Sequence, residues 1–89
     1  MTELVVRHEI IDFRKWYQGY EKAEPIRGQY GVTAVSALRD VDDPNVVLVS
    51  HTFPNADKAR AYLADKNMQS AMHASGVIGL SRFEMYEEV

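Results

Sequence analysis

Four consecutive apolar residues, Val46-Val47-Leu48-Val49, directly follow the turn-forming run Val41-Asp42-Asp43-Pro44-Asn45. That junction restricts the fold more than any other stretch. Asp and Asn side chains bond back to nearby backbone, and Pro presets φ for a turn. The flanking segments Val32–Asp40 and Val46–Phe53 therefore read as the two arms of a β-hairpin. An antiparallel strand with one face in water alternates apolar and polar residues. Val46–Val49 does not alternate, so both faces of this strand need cover.

The rest of the chain can supply one of those covers. Glu3–Ile10 reads as a first strand, with Leu4, Val6 and Ile10 on one parity and Val5 on the other. Asp12 is placed to cap a helix, behind which Phe13, Trp16, Tyr17 and Tyr20 follow the spacing of one helical face. Gly19 weakens that helix. Pro25 ends it or restarts a shorter one over Ile26–Tyr30, and Gly31 is the stop before the hairpin. After the hairpin, Pro54-Asn55 opens a helix with Ala56, Ala59, Tyr62 and Leu63 on its inner stripe. Asp65-Lys66-Asn67 looks like a joint, and Met68, Ala71 and Met72 continue at helical spacing. Gly76 suits a left-handed position past the helix end, with Val77 set to touch Met72. Leu80–Glu88 alternates as a final strand near a sheet edge.

The order β-α-β-β-α-(α)-β over residues 1–89 is the split βαβ pattern, an α+β, ferredoxin-like domain. Its four-stranded antiparallel sheet is expected in the order 4-1-3-2. Helices can cover one face only. The apolar parity left over on the central strands then meets the same face of a second copy, giving a homodimer with two facing sheets, a dimeric α+β barrel. A chain of 89 residues buries only about two-thirds of its unfolded surface, which makes a second subunit useful.

Several function classes drop out. A net charge of −3 leaves no electrostatic footprint for nucleic acid. RNA-recognition domains share this strand order but need exposed aromatics on the central strands; Glu3–Ile10 has none and Val46–Phe53 has only Phe53. There is no cysteine, hence no disulfide framework, thiolate metal site or Cys nucleophile. No apolar run approaches a membrane span of about 20 residues, and Glu3, Arg7 and His8 interrupt any leader-like start. A soluble cytoplasmic protein is the expectation. No Ser-His-Asp order, Gly-rich phosphate loop or carboxylate pair is visible.

Three histidines remain. His8 shares parity with Leu4, Val6 and Ile10. It reads either as a half-buried ring bonded to a helix end or to Asp12, or as a group that moves a proton or bonds a ligand. His51 shares parity with Val47, Val49 and Phe53, where a polar ring in an apolar row needs a partner and suits a pocket floor. It is expected about 10 Å from His8, three residues further along at about 3.4 Å each. His73 lies in the turn before Gly76, where a cation favours a helix end or a ligand is met. No pair stands at i, i+4 and no carboxylate completes a set, so no metal is expected. Chain direction gathers His8, Trp16, His73 and Arg82 near one end. Trp16 and Tyr62 read as core or as the walls of an aromatic pocket, with Met72 beside them. Arg82 reads as an edge partner of Glu84 or as a ligand for an acidic oxygen.

Val6-x-His8-x-Ile10-x-Asp12-Phe13-x-x-Trp16, the run from Arg39 to Asn45 with its Val/Leu strand, Ala56-x-x-Ala59 and Met72-x-x-x-Gly76-Val77-x-Gly79 resemble a known family. This is the dimeric α+β barrel superfamily grouped with antibiotic-biosynthesis monooxygenases and small cyclases. The resemblance implies this fold, homodimerisation, and a small aromatic or polyketide-like ligand. It covers several chemistries: cofactor-free oxygenation, polyketide cyclisation, isomerisation, haem degradation, and stress proteins without a settled reaction. The haem-degrading members resemble a chain with Asn on the first strand and Trp on the third, where this one has Arg7-His8 and no Trp. No cofactor is therefore expected. From their places on the strands and helices, His51, His8 and His73 are the catalytic candidates, with Trp16, Tyr62, Met72 and Arg82 binding substrate.

Overall fold

In the computed structural model, which describes residues 1–89, the chain runs β1 (Thr2–Ile10), α1 (Phe13–Lys22), α2 (Glu24–Gln29), β2 (Ala34–Arg39), β3 (Val46–Phe53), α3 (Ala56–Ala64), α4 (Lys66–Ala74) and β4 (Val77–Glu87). Local chemistry accounts for the boundaries. The carboxylate of Asp12 accepts the Lys15 backbone N–H at 2.9 Å, and Asn55 accepts that of Lys58 at 2.9 Å. Each satisfies a donor that the first turn leaves free. Pro25 falls in the first turn of α2, where its missing N–H costs no hydrogen bond. Asp65 has extended backbone that breaks α3, and its carboxylate then starts α4 by accepting the Met68 N–H at 2.9 Å. The same carboxylate accepts the Tyr30 hydroxyl, tying the end of α2 to the joint between α3 and α4.

The strands form one antiparallel sheet in the order β2-β3-β1-β4. This is the ferredoxin-like α+β arrangement, with the first and third strands central. Its helix-covered face carries Leu4, Val6, His8 and Ile10 from β1 and Val47, Val49, His51 and Phe53 from β3, all buried. Leu4, Val6 and Phe53 pack with Ala59, Tyr62 and Met68 of α3 and α4, while Ile10, Val47 and Val49 pack with Trp16 of α1. No helix is long and apolar enough to cross a membrane.

The structure departs from the sequence expectations in three places. Strand β2 begins at Ala34, not Val32, because the Val32 N–H is held by the Arg27 carbonyl at 3.2 Å. Strand β4 begins at Val77, earlier than Leu80. Gly76, at φ 89°, ends α4 and bonds the His73 carbonyl, but Val77 then pairs with Ile10 and packs beside Trp16 instead of returning to Met72. The β1–β4 register shifts opposite His8: Arg7 faces Arg82 while Glu9 faces Ile78. Gly79, at φ 67°, takes the bend and leaves Leu80 wholly exposed.

The third departure concerns the sheet face that bears no helix. On β3 it carries Val46 and Leu48, as the unbroken run requires, and then Ser50 and Thr52. On β1 it presents Glu3, Arg7 and Glu9 around Val5. The second face is therefore mixed, apolar mainly on one central strand.

Candidate functional site

A cavity of about 60 Å³ lies between the helix-covered face of the sheet and helices α1 to α4. Strand parity puts His8 and His51 on its floor, and α1 and α3 put Trp16 and Tyr62 on its walls. Met72 of α4 lines it as well. Five of the seven residues singled out in the sequence thus come together. His73 does not: it is exposed on the outer side of α4. Arg82 does not either. It stands opposite Arg7 on the face without helices and pairs with Glu84 at 2.9 Å, and Phe83 is the β4 residue that reaches the cavity.

His8 finds a partner that the sequence did not suggest. Asp12 is occupied with its cap, and it is the Trp16 indole Nε1–H that donates to His8 Nε2 at 3.1 Å. Because Nε2 accepts, the neutral ring carries its proton on Nδ1. That nitrogen is buried with no hydrogen-bond partner. Burial lowers the pKa of His8 to about 4, so the ring is neutral at pH 7.

His51 stands opposite Leu4 on β1, four positions from the level of His8 where three were expected, yet on the same face. Its Nδ1 is likewise buried without a partner. Burial lowers its pKa to about 4, against the Leu4 carbonyl and with help from the charge of Arg27. Its ring lies 5.4 Å from that of Tyr62. The Tyr62 hydroxyl is pushed up by burial, with the Arg27 guanidinium beside it pulling down. The site therefore holds two neutral imidazoles and a protonated phenol at neutral pH.

The sequence reading missed Arg27 and Tyr20. The Arg27 side chain is buried, donates to the Tyr20 carbonyl at 2.7 Å, and holds its guanidinium carbon 4.6 Å from the centre of the Tyr20 ring. Tyr20 in turn stacks on Trp16, centroids 5.2 Å apart. One signal existed: Tyr20, Ala23 and Arg27 keep the i, i+3, i+7 spacing of the α1 inner face across the helix break. Tyr17, read as part of that face, is largely exposed and stacks on Phe13. No group of His, Cys, Asp and Glu side chains is arranged to hold a metal ion.

No family model matches the chain, and no curated protein sequence matches it. Solved structures do share its fold. A cofactor-independent oxygenase, SnoaB from Streptomyces nogalater, superposes with a TM-score of 0.80 at 14% identity, over 99% of this chain and 92% of that one. A protein provisionally described as an antibiotic biosynthesis monooxygenase, from Bordetella bronchiseptica, gives 0.82 at 12% identity over 99% and 96%. A protein of unknown function from Nitrosomonas europaea gives 0.76 at 22% identity over 99% and 88%. The chain thus has the fold of the antibiotic-biosynthesis-monooxygenase-like structures, over nearly its whole length.

Proposed function

We propose that the protein acts as a homodimer that binds a small single-ring phenol in this cavity and oxygenates it without a bound cofactor. The observation that carries this reading is the lining. Trp16, Tyr20 and Tyr62 surround two neutral imidazoles, and no carboxylate borders the space. On a measure where one water takes roughly 10–15 Å³, 60 Å³ holds about as many heavy atoms as one aromatic ring. The shared fold with SnoaB, described as a cofactor-independent oxygenase, supports the same reaction class.

In such a reaction the substrate supplies all the electrons. The phenol loses its O–H proton, and the carbanion-like phenolate passes an electron to dioxygen. The two radicals join at the ring carbon, and the hydroperoxide eliminates water to leave a quinone. One oxygen atom stays on the ring and the other leaves with the two hydrogens. Lifting a proton from a phenol of pKa near 10 onto a base of pKa near 4 costs about 8 kcal/mol. His8 and His51 therefore orient the substrate oxygen by hydrogen bonding, and the proton leaves to solvent. The protein's contribution is positioning and support of the anion.

Protein free of metal and flavin should consume dioxygen with a panel of phenols, and ¹⁸O₂ should place one labelled atom in the product. Uptake no greater than the protein-free blank across the panel overturns the oxygenase. The homodimer reading is supported by the exposed Leu38 and the half-buried Leu48 beside it on the face without helices. Light scattering at micromolar concentration should give the mass of two chains, reduced to one by Leu48→Glu. A folded wild-type single chain under those conditions refutes the dimer.

A further inference from the structure

The cavity does not end at its aromatic walls. It shares Gly19, Ala23, Ala71 and Ser75 with a larger groove on the outer side of α1 and α4, about 330 Å³ in volume. All four of these shared residues are small. Gly19 is close enough to Ser75 that a Cβ there would lie 2.5 Å from the Ser75 Cβ. The charged residues lining the groove are Lys15 and Lys22, and the one charged residue lining the cavity is Arg27. Three cations and no carboxylate border this path in a chain with 13 acidic and 10 basic residues.

Arg27 is the unusual member. A buried guanidinium ordinarily has a carboxylate partner. Here the ion pairs are Arg60–Asp57 and Arg82–Glu84, and Arg27 is in neither. The residue is only 6% exposed, and its neutral partners are the Tyr20 carbonyl, which accepts from Nη2, and the Tyr62 hydroxyl beside the guanidinium. A guanidinium has five N–H donors in a fork that matches a carboxylate. Most of them remain free at the edge of a space lined by aromatic rings.

We propose that the cavity selects a small aromatic carboxylate, its ring among Trp16, Tyr20 and Tyr62 and its carboxylate on the Arg27 guanidinium, admitted between α1 and α4 past Lys15 and Lys22. This rests on the cavity being the ligand site and adds a charge requirement to it. The anion completes a buried cation that the fold leaves without a counter-charge, and the two lysines raise the local concentration of anions at the mouth. An uncharged ring fills the same walls but leaves Arg27 unpaired.

The test compares benzoate with benzamide, its uncharged counterpart, and with phenol, followed by calorimetry and by the fluorescence of Trp16, the chain's single tryptophan. Benzoate should bind at least tenfold tighter than benzamide, and added salt should narrow the gap. Arg27→Met should abolish the difference between benzoate and benzamide. Lys15→Gln with Lys22→Gln, both on the groove wall, should slow benzoate association and not that of phenol. Phenol binding with equal affinities for benzoate and benzamide overturns the charge requirement and leaves the aromatic pocket standing. No binding of any of the three overturns the pocket as well. The wild-type ratio alone decides the matter should Arg27→Met fail to fold.

Discussion

Acid should unfold this protein in a window set by its histidines. His51 is 4% exposed, and its pKa falls from 6.5 to about 4 on folding. A folded-state pKa below the unfolded one means that the unfolded chain binds the proton more readily. The stability is therefore fully present above pH 6.5 and is lost as pH falls towards 4. At about 1.36 kcal/mol per pH unit, the shift amounts to about 3 kcal/mol for His51. His8 has the same direction and value, but it is less deeply buried than His51, and solvent screening halves its share to about 1–2 kcal/mol. Together they remove about 4–5 kcal/mol, a large part of the stability of a small domain. The carboxylates of Asp40 and Asp65 are held low by backbone N–H groups and by the Tyr30 hydroxyl respectively. Their contribution is lost only as pH falls from 3.8 downwards, below the histidine window. Urea unfolding followed by Trp16 fluorescence, at fixed protein concentration, should show the free energy falling between pH 6.5 and 4.5. His51→Leu, which extends the apolar row of Val47, Val49 and Phe53, should flatten more than half of that fall. A wild-type free energy that stays level from pH 7 to 4.5, or an imidazole NMR titration midpoint near 6.5 for His51, refutes the reasoning.

Trp16→Phe keeps a ring against Tyr20 but removes the donor to His8 Nε2. It should cost about 1–2 kcal/mol and shift the His8 imidazole ¹⁵N resonances; unchanged resonances would show that the bond does not form. Gly19→Ala sets two effects against each other. Helix propensity improves by about 1 kcal/mol, while the new Cβ, 2.5 Å from the Ser75 Cβ, strains the α1–α4 contact by about 1–3 kcal/mol. The net should be a loss of up to about 2 kcal/mol in urea unfolding, recovered in large part when Ser75→Gly removes the opposing atom. A stabilised Gly19→Ala single variant would contradict the close approach.

The fold was readable because its signals are local. Turn chemistry at Asp42–Asn45 and the caps at Asp12 and Asn55 act within a few residues and appear where the sequence placed them, while the helix restart at Pro25 and the joint at Asp65 fall within about two residues of the expected bounds. Strand parity also sufficed to bring His8 and His51 to one face, since a period of two leaves no other choice once Leu4, Val6, Val47 and Val49 are inside. Helical spacing did the same for Trp16, Tyr62 and Met72.

What local chemistry could not supply was the partner of each group. The Trp16 bond to His8 depends on how α1 lies across β1. That Phe83 stands level with Val6 and so reaches the cavity depends on how β4 meets β1. Gly19 looked like a weak point in a helix and is the place where α1 approaches α4. Arg27 drew no notice, because nothing in a single chain of letters states that a guanidinium has been taken out of water. Periodicity says which way a side chain points; only packing in three dimensions says what it meets there, and the pKa values, the cavity and its charge all follow from that meeting.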